Sequence, residues 1–306
     1  MYEDFGTIIN RGFYSWVRNL KICTPFILNF LFNLILDVLF VGVIGYLIFV
    51  SNAGIITDPS TLSETELLSM VWKGLSGNIL LSAALILVFI LLGMFVQSFF
   101  TAGAIGMAKR ASETGDTVLP DMIVSGSKNA LRLFLINLLI SLLLLVGIIF
   151  IVPGALTIGD PSVLIHALIE NPEALPTMGA GLLALGIFLW SAYLIFLNIV
   201  LSFTSYALVI DELEPLEALS AGFHYFMENK VDVFFVWIIY IGLTSINAFV
   251  NSAFGSSSIL VSGLTLLLPI VVIQPLITVL YTRLYASRKG KKLYDPADLL
   301  SCPDKC

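Results

Sequence analysis

Asp37 is the residue best placed by type and position to do chemistry. It sits near the middle of a long apolar run, residues 26–50, and is the only charged residue in the interior of an apolar run. Ionising a carboxyl group at that depth of a bilayer is costly, so the group must face a partner, water or the interior of a bundle. Asn29, Asn33 and Asp37 are four residues apart and share one helical face. Two readings are open. Asp37 can serve as a proton or cation site. It can equally be a neutral, hydrogen-bonded side chain that fastens helices, with Asn33 or an asparagine of another span as partner. The second is the plainer reading.

Further amides stand in apolar runs: Gln97, Asn137, Asn198, Asn247 and Gln274. With Asp37 they can line one polar core, or they can be separate packing contacts, which need no ligand. His166 and Glu170 are four apart, as are His224 and Glu228. Two ligands do not fill a metal site, and ordinary surface pairing explains both couples. Cys302 and Cys306 close the chain and are too few for a structural zinc. The cluster Arg288, Lys289, Lys291 and Lys292 can attract anionic lipid headgroups. No phosphate-binding glycine loop, H-E-x-x-H or G-x-S-x-G occurs. No metal, cofactor, nucleic-acid partner or enzymatic activity is therefore expected. Membrane lipids are the expected partners, with a small solute, an ion or another protein as further candidates.

The elements that hold these residues follow from composition. Of 306 residues, 58% are hydrophobic and 12% charged, against about 25% charged in a soluble domain. Too little polar surface remains to cover a soluble fold. The bilayer fits, and it admits only helices or closed barrels because lipid offers backbone groups no partners. Runs of about 20 apolar residues mean helices. They lie at residues 26–50, 79–101, 132–152, 180–203, 233–251 and 259–282. Gly147 and Pro153–Gly154 are expected to close the third, and Pro269 and Pro275 to kink the sixth. Residues 1–22 hold Glu3, Asp4, Arg11, Arg18 and Lys21 with no early apolar stretch, so the first span reads as a retained anchor.

Charge sets the direction. Fourteen of the 15 Lys and Arg residues fall in the N-terminal segment, the second and fourth loops and the C-terminal segment; the remaining one is Lys73. Positive residues stay in the cytoplasm, so both termini are expected there, in the cell membrane. Asp58, Glu64, Glu66, Asp160, Glu170 and Glu173 give the opposite side an acidic character.

The chain also echoes itself. Gly12-Phe13 is followed by Asn19, and Gly222-Phe223 by Asn229, at the same spacing; Gly126 marks a weaker middle copy. Asp58-Pro59-Ser60 and Asp160-Pro161-Ser162 recur in two outer loops and read as helix starts. The expected fold is an all-α polytopic bundle of six transmembrane helices in three parallel helix-plus-hairpin repeats, about 1–110, 111–210 and 211–286. Residues 1–286 form one membrane domain, and 287–306 a basic tail. An amphipathic helix before each hairpin, such as Phe5–Trp16 or Leu216–Phe226, suits the membrane interface.

With the stretch Thr278-Val279-Leu280-Tyr281-Thr282-Arg283-Leu284-Tyr285, these repeats resemble a broad prokaryotic family of six-span membrane proteins. It is related to the membrane domain of glycerophosphodiester phosphodiesterases. The resemblance implies a membrane module without the phosphodiesterase catalytic domain. Transport or lipid handling is the leading expectation for function. A scaffold that organises partner proteins or anionic lipid through its interfacial helices is the alternative.

Overall fold

The computed structural model describes residues 3–52, 74, 77, 79–158, 177–255 and 258–294. The helix starts expected at Asp58-Pro59 and Asp160-Pro161, Lys73, the His166/Glu170 couple and Cys302/Cys306 lie outside the described residues. Among those described, nearly all residues are helical and none lies in a strand.

In chain order the helices are α1 (Phe5–Arg18), α2 (Thr24–Asn52), α3 (Ile79–Thr114), α4 (Leu119–Val146), α5 (Val152–Ile158), α6 (Thr177–Val200), α7 (Thr204–Asp211), α8 (Pro215–Glu228), α9 (Lys230–Phe254), α10 (Ile259–Leu268) and α11 (Gln274–Arg288). Six stretches are long and apolar enough to cross a membrane: Leu20–Val50, Ile79–Thr114, Leu119–Thr157, Gly181–Asp211, Lys230–Phe254 and Ile259–Arg288. At 29 residues α2 alone is about 43 Å long, more than the roughly 30 Å hydrocarbon layer. The protein is a multi-pass integral membrane protein.

Several ends differ from expectation for local reasons. The third span does leave the α-helix at Val146, but a 3₁₀ turn at Gly147–Phe150 carries the path on into α5. Pro269 opens a π turn over Pro269–Ile273, and Pro275 stands at the start of α11. A proline supplies no N–H to the helical ladder, and the wider turn absorbs the missing bond. The middle stretch 119–131 is not a separate helix; it runs unbroken into the third span.

Packing concentrates at the end of the bundle that carries both described termini, here called the basic end. There the second half of α3, α7 and α11 meet, and each bears one further helix: α4 on α3, α8 on α7, α1 on α11. Ile105, Phe203, Leu208, Leu280, Leu284 and Tyr285 are among the buried side chains at this junction. Elsewhere the spans keep their apolar side chains outward: none of the apolar window of the first span is buried, against 39% of that of the sixth. That is the distribution expected when lipid, not protein, solvates the helices.

A glycine stands at each of the three seams. A Cβ on Gly12 would lie 2.6 Å from the Leu280 side chain, on Gly126 3.0 Å from the Phe99 carbonyl oxygen, and on Gly222 2.5 Å from Thr204 Oγ1. Two of these helices then end on an asparagine. Asn19 Nδ2 donates to the Ser15 carbonyl at 3.0 Å, and Asn229 Nδ2 to that of Tyr225 at 3.1 Å. The seven-residue spacing thus joins a close-approach glycine to a capping asparagine. At the other end of α1, Asp4 accepts from the Thr7 N–H at 3.1 Å.

Candidate functional site

Asp37 lies about 20 Å along α2 from Thr24, at 1.5 Å per residue. Every other charged residue of the six described spans sits at the basic end. Asp37 is exposed and, among the described residues, makes no hydrogen bond or ion pair. It opens onto a cleft of about 290 Å³ between α2 and α3, with Asn33 and Gln97 as the other polar side chains. Phe40 and Phe89 meet edge to face in this cleft, with centroids 5.2 Å apart. Gly93 brings the α3 backbone close to Asn33, since a Cβ there would lie 3.6 Å from Asn33 Oδ1. Asn33 Nδ2 is turned back along its own helix, to Asn29 Oδ1 at 2.9 Å and the Asn29 carbonyl at 2.8 Å. Asn29 therefore orients Asn33, whose Oδ1 points toward α3.

Such a cleft can accept a hydrogen-bond donor. A carboxyl group in apolar surroundings can bind a hydroxyl, an ammonium or a partly hydrated cation; left alone its charge is strongly unfavourable.

The remaining amides do not join this cleft. Asn137 Nδ2 donates to Ser98 Oγ at 3.0 Å, tying the third span to the second. Asn247 Nδ2 donates to the Thr265 carbonyl at 3.0 Å, tying the fifth to the sixth. Asn198 and Gln274 share a second crevice of about 230 Å³ with Ser202, Tyr240 and Tyr281. Asn198 Oδ1 accepts from Trp237 Nε1 at 3.1 Å. This crevice carries no formal charge, and its tyrosines were not singled out from sequence. Hydroxyl-bearing residues inside apolar runs would have been the signal.

The basic end holds a network that the charge count did not reveal. Arg283 is 2% exposed and Glu3 5%. Arg283 grips Glu3 with both arms, Nε to Oε2 at 2.9 Å and Nη2 to Oε1 at 2.7 Å. Arg11 adds a bond to Oε1 at 2.8 Å, and Ser287 Oγ accepts from the Glu3 N–H at 3.0 Å. Burial alone would raise the Glu3 carboxyl, but the bonds from Arg283 and Arg11 outweigh it and hold the group below the usual carboxylate range. Tyr285 donates to Asp211 at 2.6 Å, and Lys291 pairs with the same carboxylate. Lys128 reaches Glu212 at 2.6 Å and Arg132 reaches Glu214 at 3.0 Å, clamping α4 to the α7–α8 connection.

The four basic residues after the last span divide. Arg288 donates to Asp232 at 2.7 Å and to the Glu3 carbonyl at 2.6 Å, and Lys291 is held by Asp211. Lys289 and Lys292 are exposed. The segment after Arg288 packs back, where the Tyr294 N–H donates to the Ser112 carbonyl at 2.8 Å. His224 and Glu228 pair at 3.2 Å on the surface. Compared with known protein families, characterised proteins and solved structures, the chain matches none.

Proposed function

We propose that this protein is a non-enzymatic transport or lipid-handling module of the cell membrane, with both termini in the cytoplasm. It is built of three parallel helix-plus-hairpin units, and its ligand reaches Asp37 from the side, between α2 and α3. One observation carries the reading: a carboxyl group without a described partner stands at mid-membrane depth in an open cleft, beside Asn33 and Gln97. Helix-fastening residues such as Asn137 and Asn247 make their bonds within the bundle; Asp37 does not. A side opening suits a lipid or a lipid-soluble molecule with a hydroxyl or ammonium group. The thirteen described lysines and arginines all lie at one end, which supports the orientation. The resemblance to six-span membrane modules without a catalytic domain agrees with a non-enzymatic role.

Native mass spectrometry of the protein released from lipid nanodiscs tests this. The wild type is expected to retain one small molecule or lipid, and Asp37→Asn about tenfold less of it, the loss of a charge-assisted hydrogen bond of roughly 1.5–3 kcal/mol. Gln97→Leu, which removes the facing amide, is expected to weaken retention without disturbing α2. Equal retention in both variants would remove the cleft from the mechanism.

A further inference from the structure

We propose that a second groove, on another part of the molecule, binds one anionic phospholipid through an acyl chain and its phosphate. The groove is about 370 Å³ and lies between α6, α8 and the first turns of α9. Phe196, Ile199, Phe226, Val231, Phe234 and Phe235 form its walls. Lys230, the first residue of α9, contributes the only charge.

Lys230 decides the occupant. It is exposed, and among the described residues no carboxylate pairs with it. Of the two acids nearest in sequence, Asp232 is held by Arg288 at 2.7 Å, and Glu228 contacts His224 at 3.2 Å on the exposed side of α8. The cation is left for an external anion, and the dipole at the start of α9 adds to the attraction. Beside it α8 buries Ala218, Gly222 and Tyr225 but leaves Leu216, Phe223 and Met227 exposed. An apolar shelf next to an unpaired lysine places this corner at the boundary between acyl chains and headgroups. The lysine stem lies along the apolar wall while its ammonium reaches the phosphate. A lipid with net negative charge is favoured over a zwitterionic one, whose own cation competes with Lys230. The groove is separate from the Asp37 cleft and does not depend on its role.

The test uses the full chain in nanodiscs of phosphatidylcholine with a minor fraction of phosphatidylglycerol. Native mass spectrometry counts the headgroups that survive progressive stripping. The wild type is expected to hold one phosphatidylglycerol well above its bulk share. Lys230→Gln is expected to lower that enrichment about fivefold, the effect of one cation near an anionic headgroup. Lys230→Arg restores it, and Lys292→Gln leaves it unchanged. Phe234→Trp, which fills the groove, should release the lipid whatever its headgroup. Enrichment that survives Lys230→Gln, that falls equally in Lys292→Gln, or that is absent from the wild type would overturn the proposal.

Discussion

Replacing Arg283 with methionine is expected to destabilise the protein by about 3 kcal/mol, because it leaves the Glu3 carboxylate buried and short of a partner. Two of the Glu3 bonds go with the guanidinium, at 2.9 and 2.7 Å. Arg11 still reaches Oε1 at 2.8 Å, which keeps the loss at the lower end of the range for a broken buried pair. Glu3→Gln in the same chain is expected to return part of the stability, since an amide is easier to bury than an unpaired charge. Unfolding by sodium dodecyl sulfate in mixed micelles measures both variants. A change under about 0.5 kcal/mol in Arg283→Met, the scale of an ordinary surface substitution, would show that the pair carries little. The pH dependence has a definite sign. The folded Glu3 carboxyl lies below its ordinary value of 4.5, so its contribution is fully present above that pH. It is lost as pH falls through the lower, folded value. Arg283→Met should therefore flatten the acid limb of the stability curve and leave the neutral region parallel.

Gly222→Leu is expected to cost about 3 kcal/mol and to loosen α8 from α7. Any Cβ there meets Thr204 Oγ1 at 2.5 Å and the Thr204 Cα and N at 2.9 Å. A side chain can rotate away, but the backbone of α7 cannot without shifting a junction that also holds Phe203 and Tyr225 at 4.5 Å. Gly242→Ala supplies the contrast. Nothing lies within 4 Å of a Cβ at that position. Alanine there should be neutral or should stabilise α9 by up to about 1 kcal/mol through helix propensity. Thermal unfolding in detergent separates the two. Equal behaviour would mean that the α7–α8 seam is not tightly packed.

How much of this was legible depends on how local each feature is. The six spans were legible because apolar length is counted along the chain, and all six lie where the runs placed them. Their ends were less so: the residues expected as a loop after 101 continue helical to Thr114, since Ala102, Ala104 and Ala108 are small enough to bury at the junction. The Gly-Phe and Asn spacing was visible as a pattern, but its purpose appears only when Gly12 meets Leu280 across the fold. In the cleft, Asn29, Asn33 and Asp37 were legible together because helical spacing puts them on one face. Gln97 stood as one of five scattered amides, and nothing in a sequence says which span faces which. Arg283 looked like a topology charge because its partner, Glu3, is 280 residues away.

The most direct measurement is the reaction of Asp37 with dicyclohexylcarbodiimide, a lipid-soluble reagent that adds to carboxyl groups reachable from the acyl-chain region. In nanodiscs of synthetic lipid, intact-mass spectrometry and peptide mapping should find one adduct per chain, on Asp37. Asp37→Asn should lose it, and supplying a native lipid extract should slow its formation. An unmodified Asp37, with label elsewhere or nowhere, would mean that the carboxyl is already satisfied within the bundle, and the cleft would then be helix packing and not a ligand site.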